Sequence, residues 1–169
     1  KVINTSMEVQ RRIMEVNYFG TIALSTYLLP KMIERQTGHH VVLTSAVGII
    51  STPFRAGYSA SKHAIHGFYD ALRSEHFEDN IDITLICPGY VKTNISLNAL
   101  MGDGVKQNSM DDAQANGLTV DQFVAKALKA IAQRKEESYF GGLKEVAGIY
   151  VKRFFPLLFS RLVRKVAVT

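Results

Sequence analysis

The chain has 169 residues, an apolar fraction of 47% and a net charge of +5, which suits one globular domain with an ordinary core. That whole excess lies in residues 144–169, where Lys144, Lys152, Arg153, Arg161, Arg164 and Lys165 face only Glu145, so the body is neutral and lacks the basic face of a nucleic-acid binder. The single cysteine, Cys87, excludes a disulfide within these residues, and no apolar run approaches the roughly 20 residues of a membrane span.

Thr5-Ser6-Met7-Glu8 has the capping-box pattern with Thr5 as N-cap. It predicts a helix carrying Val9, Ile13, Val16, Gly20, Ala23 and Tyr27 at helical spacing, kinked or ended at Pro30, with a last turn to about Arg35. Asn17 lies inside it, where an asparagine amide competes for backbone hydrogen bonds. Gly38 marks the turn into Val41-Val42-Leu43-Thr44, a buried strand ended by Ser45. A loop from Gly48 to Gly57 leads to a helix over 57–78 with a small-residue face of Ala60, Ala64, Gly67 and Ala71. Asp79-Asn80 turns into a second strand, 81–87, broken by Pro88-Gly89. The two strands are expected to be parallel neighbours buried on both faces. Residues 94–118 are polar and aperiodic, the pattern of a functional lid or a disordered segment. Thr119 caps a helix to about Arg134, Ser138-Tyr139-Phe140 reads as a short strand, and 143–169 forms an apolar, basic tail interrupted at Pro156.

Tyr58 and Lys62 are one helical turn apart and share a face. A free phenol, with a pKa of about 10, is a poor acid or base at neutral pH, and a neighbouring ammonium favours its phenolate. Ser45, at the adjoining strand end, can hydrogen-bond a carbonyl oxygen and hold it against the tyrosine. The three groups suit proton exchange with a carbonyl or alcohol. Ser59-Ala60-Ser61-Lys62 also fits the S-x-x-K of acylating serine enzymes. Their companion Ser-Asp-Asn is absent, however, and Lys92-Thr93-Asn94 lacks the required glycine. No carboxylate or cysteine cluster is seen to converge with His39-His40 or His63 and His66, so these are read as surface or helix-face residues and no metal site is expected. Cys87 is read as a small apolar residue at a strand end.

The ordered set of Ser45, Tyr58-Ser59-Ala60-Ser61-Lys62 and a strand ending in Pro88-Gly89 resembles the signature of the short-chain dehydrogenase/reductases. The resemblance covers the whole chain and is nearest the branch named dehydrogenase/reductase member 7, with the 11-beta-hydroxysteroid dehydrogenases nearby. It implies an α/β fold with a Rossmann-like, doubly wound parallel sheet. It also implies an oxidoreductase that moves a hydride between a nicotinamide cofactor and a small-molecule secondary alcohol or ketone, of steroid, retinoid or lipid-like kind. By this resemblance Tyr58 is the acid/base, Lys62 lowers its pKa and binds the nicotinamide ribose, and Ser45 orients the substrate oxygen. Asn17, in Val16-Asn17-Tyr18-Phe19-Gly20, helps hold a water that links the lysine to solvent. Tyr58, Lys62, Pro88, Gly89, Val91 and Thr93 would bind the cofactor, NADP(H) ahead of NAD(H). A homodimer through helices 5–35 and 57–78 is implied as well, with an intracellular organelle membrane such as the endoplasmic reticulum as location. For segment 94–118 the resemblance favours a substrate lid. The tail is open to three roles, covering the core, lining the substrate entrance or lying on a membrane surface.

The family's glycine-rich phosphate turn has no counterpart, since Gly102-Asp103-Gly104 neither follows a strand nor opens a helix. The 169 residues are therefore expected to be the C-terminal portion of a longer chain, lacking the N-terminal dinucleotide-binding half and exposing an apolar sheet edge. The rival reading is a truncated, non-catalytic interaction or dimerisation module.

Overall fold

The computed structural model describes residues 1–166. Its first helix is capped by Ser6 rather than by the expected Thr5. Ser6 Oγ accepts from the Val9 N–H at 3.2 Å, while the Thr5 hydroxyl donates to the Lys1 carbonyl at 2.9 Å. The Ser6 N–H is itself held by the Gly102 carbonyl at 3.1 Å, a distant contact that selects between two adjacent capping residues. Helix α1 (Met7–Met14) passes through a π-helical turn, Glu15–Phe19, into α2 (Gly20–Glu34). Pro30 lies inside α2 without ending it. It sits near the C-terminus, where its missing N–H removes one helical bond and the helix stops four residues later.

The sheet is built from β1 (Gly38–Leu43), β2 (Ile81–Pro88) and β3 (Glu137–Phe140), all parallel and in that spatial order. β1 begins before the apolar run because His39 and His40 pair with Asp82 and Ile83. Parallel neighbours need long crossovers, and α3 (Ala56–Glu75) and α5 (Val120–Ala132) supply them on opposite faces of the sheet. On one face Ile65, Tyr69 and Leu72 of α3 pack against Val42, Ile81, Ile83, Leu85 and Cys87. On the other, Ala127 and Ala130 of α5 meet Ile86. Helices on both faces of a parallel sheet make this a doubly wound α/β fold. Ser25 of α2 and Tyr69 share a buried hydrogen bond of 2.5 Å, which ties α2 to α3.

β2 is buried on both faces, but the expectation of the same for β1 is corrected. Val41 and Leu43 are 44% and 58% exposed, because α5, on their side of the sheet, packs over Ile86 of β2 and on β3 and does not extend over β1, and among the described residues one edge of β1 carries no strand. Segment 94–118 is ordered by its own short helix, α4 (Asp112–Ala115), and by backbone pairings of Val91 with Leu118 and Leu100 with Lys106. Gly117 fits tightly there, since a Cβ on it would lie 2.4 Å from the Tyr90 carbonyl oxygen. Gly117→Ala in the full-length protein is expected to lower unfolding stability by about 1–3 kcal/mol. Urea denaturation reads this directly, and a midpoint equal to that of the wild type would contradict the close approach.

Pro156, expected to interrupt the tail, is the first residue of a further helix instead. It separates α6 (Leu143–Phe154) from α7 (Pro156–Val163), at the position where its fixed φ and missing N–H suit a helix start. Ile149 of α6 packs on Ala46 and Ile50, and Lys152 Nζ donates to the Ile49 carbonyl. The start of the tail is thus docked beside the loop that follows Ser45. Residues 167–169 of the predicted tail lie outside the described residues.

Candidate active site

The carboxyl ends of β1 and β2 meet the first turns of α3, at the edge where open α/β sheets bind ligands. Ser45 stands just past the end of β1. Its Oγ accepts from the Val47 N–H and donates to the Pro88 carbonyl, both at 3.3 Å, and it stands close enough to the Tyr58 hydroxyl to favour the phenolate. Lys62 Nζ lies 5.8 Å from the centre of the Tyr58 ring and donates to the Leu43 carbonyl at 3.1 Å. Serine, tyrosine and lysine, separated by a loop and a helical turn, therefore share one corner of the sheet.

The electrostatics of that corner differ from the expectation in one respect. Burial raises the Tyr58 pKa above its ordinary 10.0, outweighing the nearby Ser45 hydroxyl and the positive charge of Arg55, which lower it. Lys62 is not what governs the phenol here. Burial also lowers the pKa of Lys62 itself. Tyr58 therefore keeps its proton at neutral pH and starts as a donor.

Asn17 occupies the π-helical turn, a distortion common at functional sites. Its Nδ2 donates to Ser61 Oγ at 3.1 Å, and Ser61 Oγ donates to the Tyr58 carbonyl at 2.8 Å. Asn17 thus reaches the main chain of Tyr58 through Ser61, and its own carbonyl accepts from Thr21 Oγ1 at 2.7 Å. Pro88 touches the site through Ser45, and the Gly89 N–H donates to the Phe140 carbonyl at 2.6 Å. Val91 is buried, and Gln114 Nε2 donates both to its carbonyl and, at 3.3 Å, to Thr93 Oγ1. Of the six residues expected at a cofactor, Tyr58, Lys62 and Pro88 are joined to the Ser45 corner. Gly89, Val91 and Thr93 continue from it beneath segment 94–118.

Two features were missed. Arg55, three residues before Tyr58, forms an ion pair with the buried Asp111 of segment 94–118, and Gln107 Nε2 donates to the same carboxylate at 2.6 Å. A cation just ahead of the α3 start was visible in the sequence, but its partner 56 positions away was not. The second feature corrects the reading that no carboxylate or cysteine converges with the histidines. His66 converges with Cys87 and Glu137, with His66 Nδ1 3.2 Å from Glu137 Oε1 and Cys87 Sγ 3.5 Å from the same oxygen. The parallel register of β2 and β3 creates this cluster, and neither strand alone reveals it.

Comparison with known proteins gives the same picture at the level of family. Residues 1–101 match the family described as short chain dehydrogenase. The chain is 44% identical over 158 residues to dehydrogenase/reductase SDR family member 7B of Xenopus laevis, covering 94% of this chain and 49% of that protein. It is 36% identical over 167 residues to a dehydrogenase/reductase SDR family protein 7-like of Drosophila melanogaster, covering 99% and 51%. The chain thus spans about half the length of the curated relatives it matches. A short-chain dehydrogenase of Burkholderia cenocepacia, solved in complex with NADP, aligns with TM-score 0.73 and 24% identity over 93% of this chain and 60% of its own. One from Sphingobium yanoikuyae, solved with NADPH, aligns with TM-score 0.69 and 20% identity over 98% and 60%. The fold is accordingly Rossmann-like and partial. With well over half of its residues matched and its tyrosine, lysine and serine gathered at one sheet edge, this chain belongs to the short-chain dehydrogenase family.

Proposed function

We propose that this chain carries the acid/base half of a nicotinamide-dependent oxidoreductase that interconverts a ketone and a secondary alcohol. The observation that carries the reading is a half-buried tyrosine and a serine gathered at the carboxyl edge of a parallel sheet, with a lysine beside the tyrosine ring. A bound dihydronicotinamide supplies the hydride. The chain's own residues handle the oxygen. Ser45 Oγ holds the substrate carbonyl, the Tyr58 hydroxyl gives it a proton, and in the reverse direction Tyr58 takes that proton back. Lys62 stabilises the transient phenolate and would hold the nicotinamide ribose of a bound cofactor. Asn17, through Ser61, holds the helix turn that carries Tyr58.

The residues present fit the nicotinamide end of such a cofactor. Lys62 Nζ makes one bond to a carbonyl and retains two further donors. Gly89 packs against Glu145 and Gly141, where a Cβ would stand 3.3 Å from the Glu145 Cγ and the Gly141 Cα, so the strand end turns tightly beside the Lys62 corner. Tyr58, Lys62, Pro88, Gly89, Val91 and Thr93 would hold it. The NADP and NADPH found with two structural neighbours favour NADP(H), although another neighbour was solved with NADH.

Segment 94–118 is the substrate lid in this reading. It offers Ile95, Met101, Val105 and Met110 as exposed apolar side chains, which favours a steroid, retinoid or lipid-like ketone. The exposed Val16, Phe19, Leu24, Tyr27 and Leu28 of the N-terminal helices suit a homodimer contact. Exposed Phe154, Phe155, Leu157, Leu158 and Leu162 lie among Arg153, Arg161, Arg164 and Lys165, which suits contact with a membrane surface. No helix among the described residues is long and apolar enough to cross a membrane.

The test is transfer of label from C4-deuterated NADPH to prochiral ketones by the full-length protein. Deuterium should appear on the carbinol carbon. NADPH oxidation without label in the alcohol would overturn the reading.

A further inference from the structure

Beside Lys62, and unused by the chemistry above, lies the second cluster of ionisable side chains. His66 follows Lys62 by one turn of α3 and reaches across to β2 and β3. Its Nδ1 is 3.2 Å from Glu137 Oε1, and its Nε2 is 3.9 Å from Cys87 Sγ. Cys87 Sγ is in turn 3.5 Å from Glu137 Oε1. One donor atom from each residue can be chosen so that all three lie within 4.8 Å of one another. Cys87 is fully buried, whereas the His66 and Glu137 side chains are 13% and 34% exposed. The cluster is therefore closed at its sulfur end and open to solvent at its carboxylate end.

The three residues offer the donor types of a metal centre. Around a tetrahedral ion with bonds of about 2.0–2.3 Å, neighbouring donors stand roughly 3.3–3.6 Å apart. The histidine–carboxylate and sulfur–carboxylate separations are already close to that spacing. Only one imidazole nitrogen can ligate, and the donors so chosen lie within 4.8 Å of one another, so closing the set takes a side-chain movement of about 1–1.5 Å. The surroundings orient the ligands as outer partners of a metal do. The Tyr139 hydroxyl donates to the second Glu137 oxygen at 2.9 Å. The His66 ring is seated against Gly48, where a Cβ would come within 2.8 Å of Cδ2 and Nε2. One nitrogen, one sulfur and one oxygen suit a borderline-soft divalent ion, not magnesium or calcium, which take all-oxygen sites.

We infer that His66, Cys87 and Glu137 form a binding site for a divalent metal ion of the zinc class, its fourth position filled by water at the Glu137 side. Coordination would release the Cys87 thiol proton to solvent and pin α3 to β2 and β3 one turn beyond Lys62. The inference is independent of the proposed hydride transfer.

Cobalt is the probe, because thiolate ligation gives it a near-ultraviolet charge-transfer band and tetrahedral ligation gives intense visible bands. Titration of the metal-free full-length protein with Co²⁺ should reach one equivalent with both signatures, and Zn²⁺ should displace the ion. Cys87→Ser should abolish the thiolate band. Glu137→Gln, at the exposed side of the cluster, should keep the band and weaken binding at least about tenfold. Absence of the band in the wild type, or its persistence in Cys87→Ser, would overturn the inference and leave a hydrogen-bonded triad only. If Cys87→Ser fails to fold, Glu137→Gln decides, and unchanged cobalt affinity in that variant would also overturn it.

Discussion

Tyr58→Phe in the full-length protein is expected to lower kcat for ketone reduction by about a hundred- to ten-thousand-fold, the range spanned by a single general acid. The substitution removes one hydroxyl and keeps the ring, so the half-buried site stays filled and the KM for the ketone should change little. The size of the effect follows from the proton inventory. Tyr58 is protonated because burial outweighs the influence of Ser45 and Arg55, so in the reductive direction it is the donor poised at the oxygen. The nearby Lys62 cannot stand in for it, since its Nζ lies 5.8 Å from the centre of the tyrosine ring and is turned to the Leu43 carbonyl. Steady-state kinetics with circular dichroism on the same samples would check this. A well-folded variant retaining a tenth or more of wild-type kcat would remove Tyr58 from the mechanism.

Ser45→Ala should cost about a hundred- to a thousand-fold in kcat, as loss of one preorganised donor to a reacting oxygen does. A serine hydroxyl has one proton and two lone pairs. Here the proton goes to the Pro88 carbonyl, one lone pair accepts from the Val47 N–H, and the other is left for the nearby Tyr58 hydroxyl. The bonds to Pro88 and Val47 are long, at 3.3 Å, and bonds of that length are weak. Turning the proton from Pro88 to a substrate oxygen therefore sacrifices little, and Tyr58 is freed to donate to the same oxygen. Alanine loses both the holding bond and the alignment of the phenol, whereas Ser45→Thr keeps the hydroxyl and should recover much of the activity. Equal kcat values for Ser45→Ala and the wild type would show that the serine only caps the turn at Val47.

These expectations rest on local features that the sequence displays openly. Tyr58 and Lys62 are four positions apart on one helix, and Ser45 ends an apolar strand, so short-range periodicity places all three. The three strands and the helices between them are legible for the same reason, as is the Thr119–Gln122 capping box of α5. What escaped depends on contacts between distant segments. The choice of Ser6 over Thr5 as cap comes with the Gly102 carbonyl, and the partner of Arg55 lies in segment 94–118. His66, Cys87 and Glu137 meet only once β2 and β3 are in register. The direction of the Tyr58 shift escaped because neighbouring charge can be read from spacing but burial cannot. Likewise the bare face of Val41 and Leu43 is a property of what packs on β1, not of the strand's own pattern.

The central claim is that Ser45, Tyr58 and Lys62 sit against a nicotinamide cofactor. The most direct measurement is a nicotinamide fluorescence titration of the full-length protein with NADPH and NADH, in the wild type and in Lys62→Ala. Saturable binding that weakens at least about tenfold on loss of the lysine, one charge-assisted contact's worth, is the predicted result. Absence of saturable binding to either nucleotide by the folded wild-type protein, or identical binding by Lys62→Ala, would contradict it.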